Sequence, residues 1–175
     1  MNETGCSTVI DAINRVGIDE ELSSLTFLFL GCDFQEIAGD ENDQQIIQNF
    51  EPILNHIHTT FNESLLNVYI FIYGPNLPIT MSIDHMKLEE YNFTFSIFVS
   101  PHLFHEAPST QLQNWLDSPV DNDIERFNEE MMVYLFQPAL WCYESWSETF
   151  DVLFNLSNFK IHFISTSYSF SGKLI

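Results

Sequence analysis

Dense apolar runs alternate along this chain with stretches whose apolar positions recur at helical spacing. Leu25–Leu30, LTFLFL, is a continuous apolar run that stops at Gly31, the pattern of a strand covered on both faces in a parallel sheet. Behind the acidic stretch GDENDQQ, residues Ile46, Ile47, Phe50, Ile53, Leu54 and Ile57 fall on one helical face. Asp40 or Asn42 can cap this helix and its acidic first turn suits the helix dipole, while Pro52 inside the pattern predicts a kink or a late start. Leu65–Tyr73, LLNVYIFIY, is a second β-type run, closed by Gly74-Pro75. Strand, helix and strand over this length make one βαβ unit, whose crossover is expected to be right-handed.

Ile79–Ile83 and Phe93–Val99 both read as strands, joined by DHMKLEEYN as a solvated connection. Residues 108–118 predict a short amphipathic helix around Leu112, Trp115 and Leu116. Met131–Phe136, MMVYLF, is another buried strand, stopped by Gln137-Pro138. Ser145–Phe154 reads as a helix with Ser145 as cap and Glu148 completing a capping box, and Lys160–Ser165 as a last strand. The alternation predicts a three-layer, Rossmann-like α/β domain over residues 23–175, its mainly parallel sheet carrying helices on both faces. Residues 1–22 form a polar N-terminal segment in which 7–16 make a short helix capped by Ser7 or Thr8.

Charge changes this picture more than size does. The 175 residues include 25 Asp plus Glu against 5 Lys plus Arg, a net charge of −20. Nucleic-acid binding and attachment to anionic membranes both draw on Lys and Arg, so neither is expected. A basic protein partner would be attracted, although acidity also serves to keep a domain with 17 Phe soluble. Cys6, Cys32 and Cys142 have no paired spacing, which argues against a disulfide scaffold or a zinc knuckle. The opening residues lack a secretory pattern and no apolar run approaches the ~20 residues of a membrane span. An intracellular, reducing compartment is expected, nucleus or cytoplasm before mitochondrion, with the sequons at Asn2, Asn62, Asn92 and Asn155 unused.

Candidate chemistry collects at the carboxyl ends of the strands, where open α/β sheets bind ligands. Those ends are Gly31-Cys32-Asp33, Gly74-Pro75-Asn76, Gln137-Pro138-Ala139 and Ser165-Thr166-Ser167-Tyr168, although Gly and Pro there also serve as ordinary turn punctuation. Neither the P-loop nor the G-x-G-x-x-G fingerprint occurs, and the first strand ends in one glycine where a dinucleotide or adenosyl-methionine site uses several. His102 and His105, three apart with Glu106 beside them, would share a helix face, but no third ligand completes a zinc pattern. His56 and His58 read as half-exposed surface residues. Cys32 lies in an acidic context that raises a thiol pKa, which fits a buried structural cysteine better than a nucleophile. No cofactor and no metal are expected.

Taken in order, LTFLFLGCDFQE (25–36), LNVYIFIYGPNLP (66–78), FVSPHLFHE (98–106), LFQPALWCYESWSETF (135–150) and FISTSYS (163–169) resemble the C-terminal domain of the Mss51-like proteins, often found behind a MYND zinc finger. The family-like positions are Gly31, Glu36, Gly74, Pro75, His105, Pro138, Trp146, Thr166, Ser167 and Tyr168. The chain departs from the pattern at Asn76, where an acidic residue is usual, and at Gln137 and Ala139, which replace the Asn and Gly of an Asn-Pro-Gly turn. Losing that Gly restricts a backbone position where the family can take positive φ. The zinc finger itself is absent from the sequence. The resemblance implies a methyltransferase-like sheet used for binding, in regulators or adaptors of mitochondrial translation or germ-line transcription.

The expected function is therefore a non-enzymatic adaptor or regulatory module that binds a protein partner. Two other classes stay open: a divergent adenosyl-methionine-dependent methyltransferase, and a structural homo-oligomer. The partner surface is expected at Trp141 and Tyr143 in LWCYESWSETF, ringed by acidic residues that suit a partner with apolar anchors and Lys or Arg. The competing arrangement packs Trp146 on the sheet and leaves Tyr143 alone exposed.

Overall fold

The computed structural model describes residues 3–18, 22–32, 43–61, 67–77, 80–106, 130–136, 144–156 and 160–165. Helix α1 (Glu3–Val16) leads into strand β1 (Ser24–Leu30), then helix α2 (Asp43–Thr60), strands β2 (Asn67–Tyr73), β3 (Met81–Met86), β4 (Thr94–Ser100) and β5 (Glu130–Leu135), helix α3 (Ser145–Phe154) and strand β6 (Lys160–Ser165). The strands form a six-stranded sheet of order β3-β4-β2-β1-β5-β6. All pairs are parallel except β3 with β4.

Leaving aside antiparallel β3, the order β4-β2-β1-β5-β6 is the 3-2-1-4-5 core of the doubly wound fold. The chain steps from β1 through α2 to β2 in one direction and from β5 through α3 to β6 in the other. The helices of these two crossovers belong to opposite faces, so both crossovers have the same hand.

Side-chain alternation sorts the core into two clusters. Phe27 and Phe29 of β1, Ile70 and Ile72 of β2 and Met132 and Tyr134 of β5 pack with Cys6, Val9 and Ile13 of α1 and Phe50, Ile53, Leu54 and Ile57 of α2. Leu28, Leu30, Phe71, Tyr73, Met131, Val133 and Leu135 point the other way, where Leu153, Trp146, Phe150 and Val152 of α3 join them with Phe104. Every β1 residue is buried, as its unbroken apolar run requires.

The start of α1 differs from expectation, whereas α2 begins directly after Asn42 and α3 spans the expected Ser145–Phe154. Helix α1 begins at Glu3 rather than residue 7, buries Cys6, and ends at Gly17, whose φ of 64° is the left-handed conformation favoured after a last helical turn. Helix α2 starts well before Pro52 and runs past it, with Ile46 and Phe50 on one side and Ile53 and Ile57 on the other all buried. Glu144, rather than the expected Ser145, takes the cap position of α3, in a helical conformation with no side-chain cap bond, and Glu148 engages His105.

Strand β3 also corrects the reading of 84–86 as a solvated connection. It extends to Met86, with a register shift between Ile83 and Met86. Those residues are three apart, which strict alternation would place on opposite faces, yet both pack on the same core cluster. A bulge reconciles the two. Among the described residues, no helix is long and apolar enough to cross a membrane.

Candidate functional site

The order of the sheet reverses at β1, so the carboxyl ends of β1 and β5 flank the topological switch point where doubly wound sheets hold ligands. Gly31 follows β1 with φ 73° and stays exposed. A Cβ at this position would stand 3.2 Å from the Phe136 carbonyl oxygen and 3.6 Å from the Trp146 ring. Phe136 in turn donates its N–H to the Leu30 carbonyl at 3.0 Å, which ties the ends of β5 and β1 together. Trp146, half-buried in the first turn of α3, thus lays an indole edge along the crevice at Gly31.

The neighbouring strand ends are sealed by backbone. Cys32 donates its N–H to the Tyr73 carbonyl at 3.2 Å, and Gly74 donates to that of Ser100 at 3.1 Å. A Cβ at Gly74 would collide with the Cys32 carbonyl, so close approach of two backbones, rather than an unusual φ, demands glycine there. Leu77 donates its N–H to the Gly74 carbonyl at 3.1 Å, closing a turn with exposed Pro75 in its first central position, where the ring's fixed φ is preferred.

The turn after β4 supplies the polar members. His105 Nδ1 lies 2.8 Å from Thr149 Oγ1, and its Nε2 lies 3.2 Å from Glu148 Oε2. The imidazole is 9% exposed and the carboxylate 72%. A threonine, a histidine and a carboxylate therefore stand in line, but in the wrong order for nucleophilic catalysis. The hydroxyl is the buried end and the carboxylate the solvated one, whereas a catalytic triad buries the acid and presents the hydroxyl. The trio instead pins α3 to the end of β4. Phe104 stands beside it, its ring edge-on to Tyr73 at 5.2 Å. Burial among these rings pushes the Tyr73 hydroxyl up to about 12.

His102 and His105 do not share a helix face, because 101–106 form turns closed by Glu106 N–H to the Leu103 carbonyl at 3.1 Å. His102 is exposed while both nitrogens of His105 are engaged. Among the described residues, no three His, Cys, Asp or Glu side chains gather as a metal site. Cys32 is buried, and His58 and the half-buried His56 lie on α2. Of the family-like positions, Gly31, Gly74, Pro75, His105 and Trp146 come together at this end of the sheet, and Glu36, Pro138, Thr166, Ser167 and Tyr168 lie outside the described residues. So do the expected contact residues Trp141 and Tyr143 and the predicted helix at 108–118.

No protein-family model, curated protein or solved structure matches this chain.

Sequence reasoning missed a second polar cluster, at the opposite ends of the strands. Glu130 opens β5 with its side chain 5% exposed, accepting from Lys160 Nζ at 2.9 Å and meeting His162 Nε2 at 2.8 Å. Parallel register places Glu130 directly beside Lys160. The available signal was opposite charge at Glu130, just before the expected strand Met131–Phe136, and at Lys160, the first residue of the other strand in that βαβ unit.

Proposed function

We propose that this chain is a non-enzymatic interaction module, an adaptor or regulatory subunit that holds a protein partner on a degenerate Rossmann-like domain. The observation that carries this reading is the chemistry around the switch point. The connection after β1 bears Asp33, Glu36, Asp40 and Glu41, and α2 opens with Asp43, with no Lys or Arg among residues 31–45. Beside Gly31 lies the Trp146 indole, and the sequence there lacks the further glycines of a nucleotide site. Phosphate is repelled by such a run of charge, and a protein segment with apolar and basic side chains is attracted. The ordered strand-end residues that resemble the Mss51-like domain support the same role, inside the cell in the nucleus or cytoplasm, in control of transcription or translation.

A divergent methyltransferase is the second reading, favoured by the 3-2-1-4-5 core and by a positive-φ glycine at the end of the first strand. Thermal melting with and without adenosyl-methionine separates the two. The module predicts an unchanged melting temperature, together with a protein partner recovered by affinity purification that dissociates as salt rises. A ligand-dependent rise in melting temperature, with no partner recovered, would establish the enzyme instead.

A further inference from the structure

The large apolar side chains left exposed among the described residues are neighbours. Phe154 is 70% exposed and Phe163 42%. Their rings lie 6.1 Å apart, and each stands 5.9 Å from Phe150. Phe150 and Phe154 sit one turn apart on α3, and Phe163 rises from β6 on the sheet face that this helix covers. A contiguous aromatic ridge in water is the ordinary mark of a contact surface.

The ridge borders the last strand of the described sheet. Among the described residues β6 has β5 as its one neighbour, and no described strand pairs with its outer row of backbone N–H and C=O groups. Edges are usually guarded by a lysine, a proline or a bulge. Here the lysine of the strand, Lys160, turns its ammonium to Glu130 on β5 at 2.9 Å. The exposed rim of α3 is acidic. Glu144 at its cap and Asp151 within it are exposed, the helix has no Lys or Arg, and Asp151 lies between Phe150 and Phe154 in sequence, while Glu148 turns to His105 after β4. Two copies meeting edge to edge would each bring this rim and a net charge of −20, so repulsion opposes a second copy of the chain.

We propose that the β6 edge receives an extended segment of a basic protein partner as an added strand. Its apolar side chains lie on the Phe150–Phe154–Phe163 ridge and its Lys or Arg side chains meet the acidic rim of α3. The proposal rests on the reading of the chain as an interaction module and names the surface and the chemistry of its partner.

The test uses the full chain and a fluorescein-labelled peptide of alternating Val and Lys with a central Phe. Anisotropy is expected to show saturable binding that weakens with salt, at least about fivefold weaker for a Phe154→Ser, Phe163→Thr double variant. Amide exchange at 160–165 is expected to slow on binding, and a Val–Asp peptide is expected not to bind. If the double variant loses its fold, Asp151→Lys at an exposed helical position asks the same question, with weaker binding expected. Unchanged affinity in the folded variants, no binding of the basic peptide, or self-association that itself protects the 160–165 amides would each overturn the proposal. Affinity purification separates this from the broader reading. A partner held equally by wild type and double variant removes the edge but keeps the module, whereas adenosyl-methionine binding with no partner removes the module.

Discussion

On the face covered by α1 and α2, Phe29 packs against Phe50 at 5.5 Å, Tyr134 at 5.8 Å and Phe136 at 6.1 Å, with both helices closing over them. On the other face, α3 covers Leu28, Val133 and Leu135 but carries its own Phe154 out into solvent. The first face spends its aromatic surface on its own core. The second leaves part of it exposed beside the last strand of the described sheet, under an acidic helix. The contrast separates a half whose apolar surface is covered from a half that leaves part of it exposed.

Truncating the first face should break the fold. Phe50 is fully buried, so Phe50→Ala removes its ring contacts and leaves a cavity, with an expected loss of about 3–5 kcal/mol in urea unfolding. A loss below about 1 kcal/mol would mean that the two faces are equally dispensable. The next effect comes from alkali. Tyr73, on the second face, keeps its proton up to about 12, whereas a tyrosine in the unfolded chain ionises near pH 10. Its contribution to stability is therefore fully present below pH 10 and lost as pH rises through the folded value, at about 1.4 kcal/mol per pH unit in that window. Tyr91 and Cys6, also raised by burial, act in the same direction. Tyr73→Phe should flatten the alkaline limb of the stability profile, and an unchanged slope would mean that water reaches this hydroxyl.

Much of the architecture was legible because burial on both faces writes itself as unbroken apolar runs. β1, β2, β4, β5 and β6 fall where LTFLFL, LLNVYIFIY, FTFSIFV, MMVYLF and KIHFIS placed them. β3 was blurred because a bulge interrupts its alternation between Ile83 and Met86. At the carboxyl ends, Gly31, Gly74, Pro75, His105 and Trp146 could be named from the sequence, but not why each is needed. The demand at Gly74 comes from the Cys32 carbonyl across a strand pair, and the partner of His105 stands 44 positions away on α3. Phe154 was read as one more apolar position of a helix. It lies beside the last strand of the described sheet, and local periodicity does not encode which strand is last.

The smallest expected effect sharpens how the second face is held. α3 covers less of the sheet than the two helices opposite, and His105 is its polar tether to the turn after β4. The tether has a buried arm and a solvated arm. Thr149 is 4% exposed, and without the imidazole its hydroxyl loses its partner in a place poor in water. Glu148 is 72% exposed, and water replaces whatever His105 offered it. His105→Ala should therefore cost about 1–2 kcal/mol, the range for a buried hydroxyl stripped of its hydrogen bond. Glu148→Ala should stay within about 0.5 kcal/mol, as exposed ion pairs do. His105→Gln, which keeps an amide within reach of the hydroxyl, should recover part of the loss. Amide exchange across 145–154 gives the local readout, since releasing α3 speeds its exchange before the face built on α1 and α2 opens. If Glu148→Ala costs as much as His105→Ala, the ion pair rather than the buried hydrogen bond holds α3. Glu148 would then serve the fold, and Asp151 beside Phe150 would be the carboxylate of α3 left to a partner.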